Sequence, residues 1–125
     1  MPEPIVVLTI WGFCSKKNRK APRAGGRGLY QEPKARLMIQ RMEMQIPPEA
    51  RDLMLESPDV DWEFTYTNGH ADEDGVISTV LDILQKYRVI VNDNFSHFAG
   101  KKIIWPAKRG EVDSVTVRLW SKGTL

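Results

Sequence analysis

The sequence predicts an α/β (α+β) fold in which a mixed sheet of about four strands is flanked by helices, in one domain over residues 1–125. Three stretches carry that expectation. Residues 5–11 (IVVLTIW) are apolar and mostly β-branched, residues 60–67 (VDWEFTYT) alternate apolar with polar, and residues 73–87 repeat apolar side chains at the spacing that buries one helical face. A chain of 125 residues buries roughly two-thirds of its unfolded surface on folding, enough for a core without covalent staples. Cys14 is the only cysteine, which excludes an internal disulfide and suits a reducing cytoplasm. No apolar run reaches the roughly 18 residues of a membrane span, and residues 5–11 follow Pro-Glu-Pro instead of a basic segment. A soluble cytoplasmic protein with no membrane association is expected.

Taken in order, residues 5–11 read as a strand covered on both faces, ended by Gly12. Residues 13–29 hold a basic cluster with Gly25, Gly26 and Gly28, and read as a surface loop. Those glycines are not a phosphate-binding fingerprint, because no Gly-Lys-Ser/Thr follows them. A helix is expected from Pro33 to about residue 46, with Ala35, Leu37, Met38, Met42 and Ile46 as its apolar stripe and Met38, Met42 and Met44 as core filler. Pro47 and Pro48 stop it and open a short helical connector through Leu55, closed by Ser57 and Pro58. In residues 60–67, Val60, Trp62, Phe64 and Tyr66 point to one face, and Asp61, Glu63, Thr65 and Thr67 to the other.

Asn68 and Gly69 turn the chain into a helix beginning near Glu73, whose buried face carries Val76, Ile77, Val80, Leu81, Leu84 and Tyr87. Residues 88–91 read as a short extended run and Asn92, Asp93 and Asn94 as a polar corner. A strand over residues 95–105, a turn over residues 106–110 and a last strand over residues 112–120 complete the chain.

The net charge of +2 conceals a strong asymmetry. Lys16, Lys17, Arg19, Lys20, Arg23 and Arg27 fall in a segment with no acid, whereas between Glu43 and Asp74 the acids are opposed only by Arg51. A basic segment that grips phosphates beside acids that repel them, unless a cation intervenes, is what a metal-dependent enzyme acting on nucleic acid requires. Asp72 and Asp74 stand at the start of the second helix and Asp93 beyond its end, so together they are candidates to surround a hard divalent cation.

Asp74, Ser78, Asp82 and Lys86 form one ridge on the polar side of that helix. Each acid also has an ordinary role. Asp72, Glu73 and Asp74 suit a helix start, where carboxylates cap the backbone and complement the dipole, and Asp82 suits an ion pair with Lys86. An EF-hand is excluded, because Val76 and Ile83 stand where that loop needs oxygen ligands. His70 reads as a surface residue, and Trp11, Trp62, Trp105 and Trp120 as core or interface.

The stretch from Asp72 to Asp93 resembles the core of the RusA family of Holliday junction resolvases. That family's pattern is Asp-x-Asp-Asn, a lysine four residues after the second Asp, then Asp-x-Leu, then a hydrophobic run ending in Asp-Asp. Without a gap, Asp72 and Asp74 match the first acids, Asp82 and Leu84 the Asp-x-Leu, and Asp93 the last acid. Upstream, Ser15 to Arg19 (SKKNR) is similar to the family's Ser-x-Asn-Arg segment with one extra residue. Gly75, Ser78 and Asn92 depart from the pattern, Ser78 taking the place of the lysine.

The resemblance implies a RusA-like fold and a homodimer that resolves branched DNA. It implies Asp72, Asp74 and Asp93 as ligands of Mg²⁺, with Mn²⁺ as a substitute, and Asp82 as a supporting catalytic acid. Phosphates would be held by Lys16, Lys17, Asn18, Arg19, Lys20, Arg23 and Arg27, with Lys101 and Lys102 as further cations. Two functions follow as expectations: a structure-selective endodeoxyribonuclease acting on four-way junctions, or, because serine cannot replace the lysine's charge, a non-catalytic branched-DNA-binding protein on the same scaffold.

Overall fold

The structure is a computed structural model, and it describes residues 2–14, 20–22, 29–31, 33–91 and 100–125. Its centre is strand β4 (Asp59–Tyr66), the alternating stretch. On one side β4 pairs antiparallel with β7 (Ser114–Trp120), which pairs antiparallel in turn with β1 (Val6–Trp11). On the other side β5 (Lys102–Ile104) and β6 (Lys108–Arg109) both pair parallel with β4, giving a five-stranded mixed sheet. A separate antiparallel ribbon joins β2 (Lys20–Pro22) to β3 (Leu29–Gln31), so the segment expected as loop contains a short hairpin. The fold class is the expected one.

Val6, Leu8 and Ile10 of β1, Val60, Trp62, Phe64 and Tyr66 of β4, and Val115, Val117 and Leu119 of β7 share one face and form the core. Helices α1 (Pro33–Glu43) and α2 (Glu73–Lys86) cover that face with Ile39 and Met42, and with Val76, Ile77, Val80, Ile83 and Leu84. Both helices lie on this side, so the expectation that β1 is covered twice fails: Val7 and Trp11, on the other face, are each 54% exposed.

Other departures are local. On α1 the buried positions are Ala35, Ile39 and Met42, one helical face; Leu37, two residues and about 200° from Ala35, is exposed. Met44 lies in the turn after the helix and is 80% exposed, so it fills no core. The connector forms only a 3-10 turn, Pro48–Ala50. Asp52, Met54 and Ser57 then take positive φ, and Leu55 pairs with the extended residue Ile90. Of residues 95–105, residues 102–104 form β5, while residues 92–99 lie outside the described ones. Residues 106–110 are more than a turn: Lys108 and Arg109 return to the edge of β4, and a Cβ on Gly110 would meet Thr65 Cγ2 at 2.6 Å. Among the described residues no helix is long and apolar enough to cross a membrane.

The face opposite the helices is held by charge. Asp61, 2% exposed, accepts hydrogen bonds from Arg118 Nη1 (2.8 Å), Trp105 Nε1 (3.1 Å) and Trp120 Nε1 (2.6 Å). Arg118 also donates to Glu63 (2.9 Å), which chiefly through that bond titrates below the usual glutamate range. At the other end of β4, Asp59 accepts backbone N–H groups of Lys101 (2.9 Å) and Leu125 (2.8 Å). Burial pushes its carboxyl up, but the backbone donors of Leu125, Lys101 and Gly123 outweigh it, and the net shift is downward from 3.8.

Replacing Arg118 with Met strands a buried carboxylate and is expected to cost about 3 kcal/mol in urea unfolding, against less than about 1 kcal/mol for Lys108→Ala at the exposed Lys108–Glu63 pair. Because Asp59 has a depressed folded pKa, its contribution is complete above the unfolded value and is lost as pH falls through the folded one. Thermal melts from about pH 5 to pH 2 should therefore show a shallower loss of stability in Asp59→Asn than in the wild type.

Candidate functional site

Because β7 runs against both β1 and β4, those two strands are parallel, and β6 is parallel to β4 as well. Their carboxyl ends meet at one end of the sheet. The basic segment leaves from the end of β1, and the acidic turn into α2 leaves from the end of β4. Carboxyl ends of parallel strands are where α/β sheets place ligands.

Aromatic contacts join the two exits. Phe13, buried just after β1, packs edge-on against Phe64 (5.6 Å) and Tyr66 (5.9 Å). Tyr66 donates its hydroxyl to Glu73 Oε2 at 2.6 Å, fastening the first turn of α2 to the last residue of β4. Burial, reinforced by the Glu73 charge, drives the Tyr66 pKa above its ordinary value, so the phenol remains a donor. The turn between them is pinned twice: Thr67 donates N–H (2.8 Å) and Oγ1 (3.2 Å) to Asp113 Oδ1, and Arg109 Nη1 donates to the Gly69 carbonyl (2.9 Å). Gly69 sits at φ +57°, which favours glycine.

Asp72 is the N-cap of α2, its Oδ1 accepting the Gly75 N–H at 3.2 Å. The ordinary role offered by the sequence is thus real for this residue. Capping and coordination are compatible, because a carboxylate has about four lone-pair sites on two oxygens. Asp72 and Asp74 are exposed, while Glu73 is half-buried against Tyr66. The donors at this helix start are hard oxygens, the chemistry that suits Mg²⁺ or Mn²⁺. Among the described residues no three acids, histidines or cysteines converge to hold a metal, and Asp93 lies outside those residues.

Ser78 and Asp82 follow Asp74 along α2, both half-buried. Asp82 is about 12 Å along the axis from Asp74, too far to share one ion. Lys86, at the far end of the ridge, reaches across to Glu43 at 2.8 Å, which raises the lysine pKa. His70 is exposed, with its ring 5.2 Å from that of Tyr66.

The basic candidates divide. Lys16, Lys17, Asn18, Arg19, Arg23 and Arg27 lie outside the described residues, and Lys20 opens β2. Lys101 and Lys102 are exposed at the start of β5, with Lys102 opposite Val60, roughly 20 Å along β4 from the Tyr66 end. The structure therefore does not bring them to Asp72 and Asp74. It brings Lys108 and Arg109 there instead, opposite Thr65 and Tyr66. The sequence signal for these was the basic pair after Pro106, read only as a turn.

Compared with protein-family models and with curated proteins, the chain matches none.

The Tyr66–Glu73 bond is the joint that fixes the acidic turn. Tyr66→Phe leaves Glu73 without that donor and is expected to lower stability by about 1.5–3 kcal/mol, read by urea unfolding.

Proposed function

We propose that this chain is a RusA-like, Mg²⁺-dependent endodeoxyribonuclease that resolves four-way DNA junctions by paired, symmetric nicks, and that it works as a cytoplasmic homodimer. The observation that carries the reading is the shared end of the sheet, where the root of the basic segment and the acidic start of α2 are tied together through Phe13, Tyr66 and Glu73. A non-enzymatic helix cap explains Asp72 but gives no reason for a second exposed acid, Asp74, at the sheet end from which the chain also leaves β1.

In this reading Asp72, Asp74 and Asp93 hold the cation. The bound cation supplies an activated water and stabilisation of charge on the scissile phosphate and leaving oxygen. The chain's own part is positioning. Tyr66 and the Thr67–Asp113 and Arg109–Gly69 bonds keep the acidic turn rigid, so Asp72 and Asp74 need little reorganisation. Residues 16–27, with Lys108 and Arg109 at the neighbouring edge, bind backbone phosphates on either side. Two copies related by a two-fold axis would present two sites to the approximately two-fold symmetric junction.

A second reading, junction binding without cleavage, is favoured by one observation. Ser78 occupies the ridge one turn beyond Asp74, and the ridge's own lysine, Lys86, is engaged with Glu43. No charge at position 78 is available to balance the acids or the transition state.

Incubation of a synthetic four-way junction with Mg²⁺ or Mn²⁺ separates the two. The nuclease reading expects paired nicks in the wild type, reduced at least about 100-fold in Asp74→Asn with binding retained. Salt-sensitive binding without nicks in either metal contradicts it and leaves the binding protein. If cleavage occurs, Ser78→Lys is expected to raise the rate, and no rise would mean that another cation already serves that position.

A further inference from the structure

Two exposed acids at one helix start repel the phosphates that the proposed reaction must bring to them, so the field at Asp72 and Asp74 calls for a fixed positive charge beside the cation site. Strand β6 supplies one. Arg109 lies opposite Tyr66, the last residue of β4, and its Nη1 donates to the Gly69 carbonyl at 2.9 Å. Gly69 stands three residues before Asp72, so their α-carbons are at most about 11 Å apart, close to the Debye length at physiological salt. The guanidinium therefore lies in the field of the acidic turn, within reach of a phosphate that meets both.

The backbone that carries Arg109 has little freedom. The Gly110 N–H donates to the Tyr66 carbonyl (3.1 Å), and the space beside Gly110 is closed by Thr65, so β6 lies tight on β4. Asp113 then closes the following turn: its carbonyl accepts the Gly12 N–H (2.9 Å) and its Oδ1 the Thr67 N–H (2.8 Å), which ties the exits of β1 and β4 to the segment that carries Arg109. The side chain itself is exposed, and a guanidinium has five N–H donors, of which the Gly69 bond uses one. Other described cations are committed elsewhere: Lys86 to Glu43, Arg88 to Asp52, and Arg118 to Asp61 and Glu63. An arginine needed only to hold the turn would duplicate the Thr67–Asp113 and Tyr66–Glu73 bonds.

We propose that Arg109 contacts the same phosphate as the cation at Asp72 and Asp74, its remaining N–H groups donating to a non-bridging oxygen while Nη1 keeps the Gly69 carbonyl. This contact presupposes the cation site of the nuclease reading and extends it to a residue on β6. A phosphate held from two sides is fixed in orientation, and a charge-assisted bond from arginine strengthens as negative charge grows on the oxygen that accepts it. Lys108, its neighbour on β6, is turned to Glu63 (3.4 Å) and takes no part in the contact.

Binding of a synthetic four-way junction over a range of NaCl concentrations tests it, with Ca²⁺ as the probe cation and with Arg109→Gln, Arg109→Lys and Lys122→Gln. Glutamine keeps an amide donor for the Gly69 carbonyl but removes the charge, lysine keeps the charge, and Lys122 is an exposed cation beyond the end of β7. In Arg109→Gln the slope of log K against log salt is expected to be shallower by about one, with affinity at least about fivefold weaker at low salt, while Arg109→Lys and Lys122→Gln keep the wild-type slope. Mn²⁺ affinity without DNA, read by electron paramagnetic resonance, should not weaken in Arg109→Gln. In the wild type itself the Arg109 Nε–H resonance should shift when the junction binds, and that of Arg118, held by Asp61 and Glu63, should not. A wild-type slope in Arg109→Gln, an equal loss in Lys122→Gln, weakened Mn²⁺ binding in Arg109→Gln, or an unmoved Arg109 resonance would each overturn the proposal, the third by showing that Arg109 only holds the turn. Should Arg109→Gln fail to fold, the wild-type resonance decides. Junction binding with these effects but no nicks in Mg²⁺ or Mn²⁺ refutes only the nuclease reading, nicking at the wild-type rate in Arg109→Gln refutes only this one, and no binding at low salt refutes both.

Discussion

The antiparallel pairing of β7 with both β1 and β4 is the constraint on which the rest of the molecule depends. A strand that opposes two neighbours makes them parallel to each other. Segments leaving β1 and β4 then start from the same end of the sheet, although residues 12 and 67 are far apart in the chain. The basic and the acidic segments therefore both leave from one end of the sheet only because of that pairing. Tyr66 connects the constraint to the chemistry, since its ring belongs to the core and its hydroxyl holds the first turn of α2.

The alternation of β4 divides the molecule in a second way. Its apolar residues build the only face that the helices cover, and its acids must find partners on the other. Asp61 and Glu63 find them in Arg118, and Asp59 in the backbone N–H groups of Lys101 and Leu125. These acids belong to the same excess of negative charge as Asp72 and Asp74, but Asp59 and Asp61 are buried, Glu63 is half-buried, and all three are satisfied in structural roles. Asp74, exposed at a fixed helix start, differs in kind. Composition alone does not separate the two groups; burial and hydrogen-bond partners do.

The strongest periodic signals were legible in the sequence. Alternation in β4 and the three-to-four repeat of α2 depend on local pattern, and both elements fall where the pattern places them. The carboxyl-end meeting of β1 and β4 was not legible, because strand order depends on pairings between residues about 110 apart, such as Val6 with Leu119. For the same reason β1 read as doubly covered: an apolar strand with Val7 and Trp11 exposed has the composition of a buried one. Lys101 and Lys102 looked equivalent to Lys108 and Arg109 as basic pairs, and only the parallel register on β4 separates them by the length of that strand. Of the candidate site, the helix start at Asp72 to Asp74 was legible from spacing, whereas the Tyr66 and Arg109 contacts that hold the turn required the fold.

The central claim is that the acidic turn into α2 is a divalent-cation site at the end of the sheet from which the chain also leaves β1 toward the basic segment. Paramagnetic broadening of amide resonances by substoichiometric Mn²⁺ tests it without DNA or turnover. The account predicts selective loss of signals around Asp72 to Gly75 and Asp93, with those of Lys101 and Lys102 at the opposite end unaffected, and weaker loss in Asp74→Asn. Broadening centred on Asp59 and Asp61, or none above that of a non-binding surface, would contradict it.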